Sequence, residues 1–216
     1  MTGLLIKDWK VLKRQGRYFV VAILLVCAMS LAGSKNMSSF VTSYVTFMLS
    51  MFSFSSFSYD EYDNGMAFLM ALPSGRQDYV KEKYLFSFLL VFGGWLAGVL
   101  LRMVFFQLRF SMEEYLETLF FDPVYLLICL SYVGLMLPSL VRYGSEKGRN
   151  IAFTGVAVFV IAFFAAGKIA TPVLQRIVAP IESNPAMFLL WLAVACLLIW
   201  TASYRISSWF IRKKEF

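Results

Sequence analysis

The 216-residue chain is 60% hydrophobic and only 15% charged, against roughly 45 to 50% and about 25% in an average soluble domain, which excludes an ordinary water-soluble fold. It contains no histidine, so His-based triads and His-ligated metal sites are excluded as well. Its net charge of +7 calls for a membrane or nucleic-acid explanation, and the distribution of the bases decides which.

The apolar excess is carried in long runs. Uncharged gaps lie between Arg17 and Lys35, Lys35 and Asp60, Lys83 and Arg102, Asp122 and Arg142, Arg149 and Lys168, and Glu182 and Arg205. Each is about 17 to 24 residues long, enough for a helix to cross about 30 Å of hydrocarbon. The pattern predicts an all-α integral membrane protein, a single transmembrane domain over 1–216 with six spanning helices at 18–34, 38–58, 84–106, 123–142, 151–168 and 185–206.

At the start, TGLLIKDWKVLKRQG places Leu5, Trp9 and Leu12 at i, i+4 and i+7, with Lys10, Lys13, Arg14 and Arg17 on another face. This predicts an interfacial amphipathic helix over 1–17. The first span lacks a small-residue cleavage pattern and runs through Gly33-Ser34-Lys35 into another span, unlike a signal peptide. In the second span Ser43, Thr46, Ser50 and Ser53 fall on one stripe opposite Phe47, Met51 and Phe54. Small hydroxyl residues so arranged suit close helix packing, and they are also the candidate translocation path.

Between the second and third spans lies the charged segment 59–83. Ser58 and Glu61 have capping-box spacing, so a short helix is expected through Met66, Phe68, Leu69 and Met70 to Leu72, where Pro73 stops it. Ser74 with Gln77 caps a second helix that has Asp78 in its first turn and continues past Lys81 and Lys83 into the third span. There Gly94 and Gly98 form a GxxxG spacing that admits a close neighbour. A short external helix is expected from Ser111, with Glu113, Glu114 and Glu117 outward; Glu113 and Glu114 are better explained as a solvated face than as catalytic acids. Asp122 and Pro123 form the N-cap and first residue of the fourth span, and Pro138 is expected to kink its end. After the fifth span, IATPVLQRIVAPIESNP is expected to form a broken re-entrant or surface helix, because such backbone has to be covered by protein or water. Cys27, Cys129 and Cys196 each fall inside a span, too scattered for a metal site.

Fifteen of the twenty Lys and Arg residues fall on one face: those before the first span, after the second and fourth, and at the end of the chain. The positive-inside rule makes that face cytoplasmic, which predicts a multi-pass cell-membrane protein with both termini cytoplasmic. The basic charge thus answers to the lipid bilayer, and no nucleic-acid partner is expected.

The acidic entry Asp60, Glu61 and Asp63, the short apolar helix, Leu72-Pro73-Ser74-Gly75-Arg76 and Val80-Lys81-Glu82-Lys83-Tyr84 resemble the first cytoplasmic connection of ABC type 2 transporter permeases. The six spans and the interfacial helix extend the likeness to most of the chain. The resemblance implies the transmembrane permease subunit of an ATP-driven ABC exporter, with a coupling helix that docks into a separate ATPase subunit. Asp60, Glu61 and Asp63 would meet basic residues of the ATPase and Met66, Leu69 and Met70 its apolar groove, while Arg76 holds the turn after Pro73. The chain lacks a GxxxxGK[ST] phosphate loop, so it is expected to be no enzyme and to hold no cofactor, with ATP and Mg bound by the partner. The resemblance further implies a homodimer or a heterodimer with a second permease. It is strongest to small permeases that export amphipathic peptides such as phenol-soluble modulins, which makes a peptide the expected substrate. An ion-coupled secondary transporter and a non-transporting membrane scaffold remain as alternatives.

Overall fold

The computed structural model describes residues 2–32, 35–62, 65–71, 76–107, 122–169 and 185–213. They form seven helices: α1 (Thr2–Ala32), α2 (Lys35–Glu61), α3 (Gly65–Ala71), α4 (Arg76–Gln107), α5 (Asp122–Tyr143), α6 (Ser145–Ile169) and α7 (Pro185–Lys213). No strand occurs among the described residues. Among the described residues, four stretches are long and apolar enough to cross a membrane: Phe40–Glu61, Arg76–Val104, Asp122–Tyr143 and Ala186–Lys213. They correspond to the second, third, fourth and sixth expected spans.

The first expected span shares α1 with the expected interfacial segment, in one unbroken helix whose apolar stretch Gly16–Val26 is shorter. The fifth falls within α6, whose side chains are described only as far as Val158. The expected external helix from Ser111 and the proline-rich segment before Pro185 lie outside the described residues.

Local chemistry sets the helix ends. Asp78 sits in the first turn of α4, and Asp122 with Pro123 opens α5, where acids favour the positive end of the helix dipole and proline lacks only an N–H the helix does not need. Pro138 lies inside α5 without ending it. The helix stops at Gly144, whose φ of 85° is open to glycine and whose N–H reaches the Leu140 carbonyl at 2.9 Å, an αL cap. The capping pair expected at Ser58 does not start a helix, because α2 continues through it to Glu61.

The bundle rests on two main pairings, α2 against α4 and α5 against α7, with α5 also touching α2 and α4. The largest core lies among these helices and includes Phe57, Val80, Tyr84, Val133, Leu137, Leu140 and Ile211. α1 lies on α2 and α4 through Val26 against Val41 and Val45, and through Val11, Leu12 and Phe19 against Phe52, Phe86 and Leu90.

The α2–α4 seam is as close as the GxxxG spacing promised. A Cβ on Gly98 would lie 3.0 Å from the Thr42 Cα and 3.2 Å from its carbonyl oxygen, and one on Gly94 would lie 3.0 Å from the Leu49 Cβ. Gly93, next in the chain, faces open space. Gly98→Val should therefore lower stability by about 1–3 kcal/mol through overpacking against backbone. Gly93→Ala should raise it by up to about 1 kcal/mol through helix propensity. Thermal unfolding of the purified protein in detergent separates the two.

Candidate functional site

The polar residues that matter most sit where α1, α2 and α4 meet, at the end of the bundle that carries α3. Lys83 is buried, yet its ammonium has a partner for each of its three hydrogens: Asp8 Oδ2 at 2.6 Å, Asp60 Oδ2 at 2.7 Å and the Ser56 hydroxyl. Lys7 also pairs with Asp60 and lies 3.2 Å from Asp8 Oδ1. Ser56 donates to Asp8 Oδ2, and the Tyr79 hydroxyl donates to Asp60 Oδ2 at 3.1 Å. The Phe57 and Tyr79 rings flank the ammonium, with centroids 5.2 and 5.4 Å away.

Asp8 is fully buried. Burial alone would raise its carboxyl, but the charges of Lys83 and Lys7, with hydrogen bonds from Lys83 and Ser56, outweigh burial and hold it below the ordinary carboxylate range. The inward stripe of α1 consequently runs through Leu4, Asp8, Val11 and Leu12, while Trp9, expected on the lipid-facing apolar side of an interfacial helix, is half exposed.

Glu61, next to Asp60, serves a different partner. Its Oε2 accepts the Ser145 backbone N–H at 2.8 Å and the Ser145 hydroxyl at 2.6 Å. It thereby caps the start of α6 from another helix, as an acid at a helix N-terminus should. Gly144 makes room for it, since a Cβ there would lie 2.6 Å from Glu61 Oε1.

In α3, Met66 and Leu69 are three residues apart and both turn to the chain's own core, Met66 buried and Leu69 packed against it. Phe68 points away and is 70% exposed, and nearby Tyr62 is 74% exposed. Arg76 is exposed at the start of α4. Asp63, Pro73 and the side chain of Met70 lie outside the described residues. Of the residues expected to meet a partner, Asp60, Glu61, Met66 and Leu69 are thus engaged within this chain. Beside them a cavity of about 570 Å³ is lined by Glu61, Tyr62, Glu146, Lys147 and Arg149.

The hydroxyl stripe of α2 is satisfied locally. Ser43, Thr46, Ser50 and Ser53 donate to the carbonyls of Phe40, Thr42, Phe47 and Ser50. Thr46, Ser50 and Ser53 are buried in the bundle, whereas Ser43 lines a cavity of about 280 Å³ with Phe40, Phe47, Tyr125 and Ile128.

At the opposite end of α4, Arg102 is fully buried and paired with Asp122, whose carbonyl accepts the Trp95 indole N–H at 2.8 Å. A basic side chain near the end of a span usually snorkels toward water; here a carboxylate at the start of α5 holds it inside. No cluster of potential metal ligands occurs among the described residues.

The profile of the ABC-2 family transporter proteins matches residues 3–211. The chain belongs to this family. No curated protein and no solved structure matches it. This ABC-2 family chain is a membrane transport component of the permease type, and the match runs from the ionic cluster on α1 to the last turn of α7.

Lys83→Met in this ABC-2 family protein would leave Asp8 and Asp60 buried with only Lys7 to answer them. It should destabilise the fold by about 3–5 kcal/mol. Lys81→Met, which removes an exposed pair with Asp78 at 3.9 Å, should change stability by no more than about 0.5 kcal/mol. Unfolding midpoints of the two variants in the same detergent check the difference.

Proposed function

We propose that the protein is the permease subunit of an ATP-driven exporter and that α3 receives the work of a separate ABC ATPase, which binds the ATP and Mg. The observation that carries this reading is the placement of α3. It is a seven-residue helix hung between two membrane-length helices, within a chain whose family works in membrane transport. Its inward side is fixed by Met66 and Leu69, which leaves Phe68, with Tyr62, as the aromatic surface for the ATPase groove. Arg76, exposed at the start of α4, supplies a charge at the rim. In this arrangement Asp60 and Glu61 hold α3 to the rest of the chain while the aromatics meet the partner.

Two permeases, identical or paralogous, flank the path, with both termini in the cytoplasm and an amphipathic peptide as the exported substrate. ATP can drive them only if the ATPase holds α3 differently in two states, since equal contact in both would shift nothing.

Co-expression with its ABC ATPase and reconstitution into liposomes tests this. Phe68→Asp should weaken the ATPase by about 2 kcal/mol, about 30-fold in Kd, and should lower substrate-stimulated hydrolysis while leaving the unfolding midpoint near that of the parent. Undiminished pairing and stimulation in the variant, or transport that persists without ATP and collapses with an ion gradient, would overturn it.

A further inference from the structure

The cluster on Lys83 contains a third acid that its lysines do not serve. Glu82 is fully buried on α4, and neither of its carboxylate oxygens has a hydrogen-bond partner. The nearest cation, Lys83 Nζ, is 3.9 Å from Oε2, and that ammonium has already given its three hydrogens to Asp8, Asp60 and Ser56. Lys7 is committed to Asp60 and Asp8. The two lysines balance the two aspartates, and among the described residues no further cation lies within ion-pair distance of Glu82. An ionised carboxylate in that position would be a buried charge with no donor, which proteins avoid by keeping the proton on.

A second orphan lies beside it. Asp8 Oδ1 is buried and, apart from the Lys7 ammonium 3.2 Å away, accepts no hydrogen bond, and Asp8 and Glu82 gather on the same ammonium, with Lys83 Nζ 2.6 Å from Asp8 Oδ2 and 3.9 Å from Glu82 Oε2. A carboxylic acid needs an acceptor for its O–H, and an ionised aspartate offers one. We propose that Glu82 and Asp8 form a proton-binding site, with one proton held on Glu82 and donated to Asp8 Oδ1 across the α1–α4 contact.

The groups facing this proton are known from each helix around it: Lys7 and Asp8 from α1, Ser56 and Asp60 from α2, and Tyr79 and Lys83 from α4. Arg212 of α7 meets α4 farther along, at Gln77. With the proton in place the site is electrically balanced, Asp8 Oδ1 gains a donor, and the remaining Glu82 oxygen is that of a neutral carbonyl rather than of a buried charge. Without it, Glu82 and Asp8 become two like charges in contact, and α1 is pushed from α4. Proton binding therefore fastens the amino-terminal half of α1 to the bundle, whether or not ATP coupling operates as proposed above.

Infrared spectra of the full chain in lipid nanodiscs at neutral pH test the site. The wild type should show the carbonyl stretch of a buried protonated carboxyl, and Glu82→Gln, which keeps the shape and offers its own N–H to Asp8, should lack it. The unfolding midpoint gives an independent readout. Unfolded glutamate ionises near about pH 4.3, so above that pH the folded wild type holds one proton more than the unfolded chain. Its folding constant should fall tenfold per pH unit relative to Glu82→Gln until Glu82 itself ionises.

Should Glu82→Gln not accumulate, Asp8→Asn serves, because its amide donates to an ionised Glu82 and should abolish the band. An identical band in wild type and variant, parallel pH profiles, or a missing band with stability that depends on sodium or potassium would overturn the proposal.

Discussion

A buried ammonium has to be answered from within the protein, and Lys83 is where this fold meets that demand. Its contacts are directional, since an ammonium with three hydrogens accepts only a few positions for its partners. Packing among Phe52, Phe86 and Leu90 would tolerate small slips of one helix along another, because apolar cores adapt to shape more readily than ion pairs adapt to distance. The ionic contacts from Asp8 and Asp60 do not, and they set the register of α1 and α2 on α4. A buried pair of this kind adds little net stability compared with a well-packed apolar one, yet its loss is severe. Its value here is geometric.

The far end of α4 obeys the same rule with Arg102 and Asp122. Between the two ionic ends, α4 meets α2 through glycines and through hydroxyls whose hydrogen bonds close within α2 itself. On its other side, the Tyr84 hydroxyl reaches Ser203 and Ser207 of α7, and Ser203 donates to the Gly134 carbonyl of α5. Gly134 admits Ile199 and Trp200 of α7 at close range. These hydroxyls are thus shared in small closed sets, as a segment shielded from water favours.

The gaps between charges were enough to reveal α2, α4, α5 and α7, because hydrocarbon thickness fixes how long an uncharged run must be. Asp122-Pro123 and the Gly94 and Gly98 spacing were also legible, being local signals. The internal roles of Asp60 and Glu61 were not, since nothing in the segment 59–83 names Lys7, Lys83 or Ser145 as partners. Such pairings depend on how distant helices are set against each other. One clue was available: Asp8 follows Leu4 and precedes Leu12 at helical spacing, a charge on an apolar stripe, which announces a buried partner. The burial of Arg102 was not legible either, because a basic residue near a span end usually reaches for water and its partner is 20 residues away.

The position of α3 acquires its meaning from these anchors. The residues just before it are fixed twice over, Asp60 to α1 and α4 and Glu61 to the start of α6, while Met66 and Leu69 press into the main core. A displacement that reached Asp60 or Glu61 would break a buried ion pair or uncap a helix. If α3 receives a load as proposed, these anchors would pass it to α1, α4 and the α5–α6 turn, and the ionic cluster would set which helices share it.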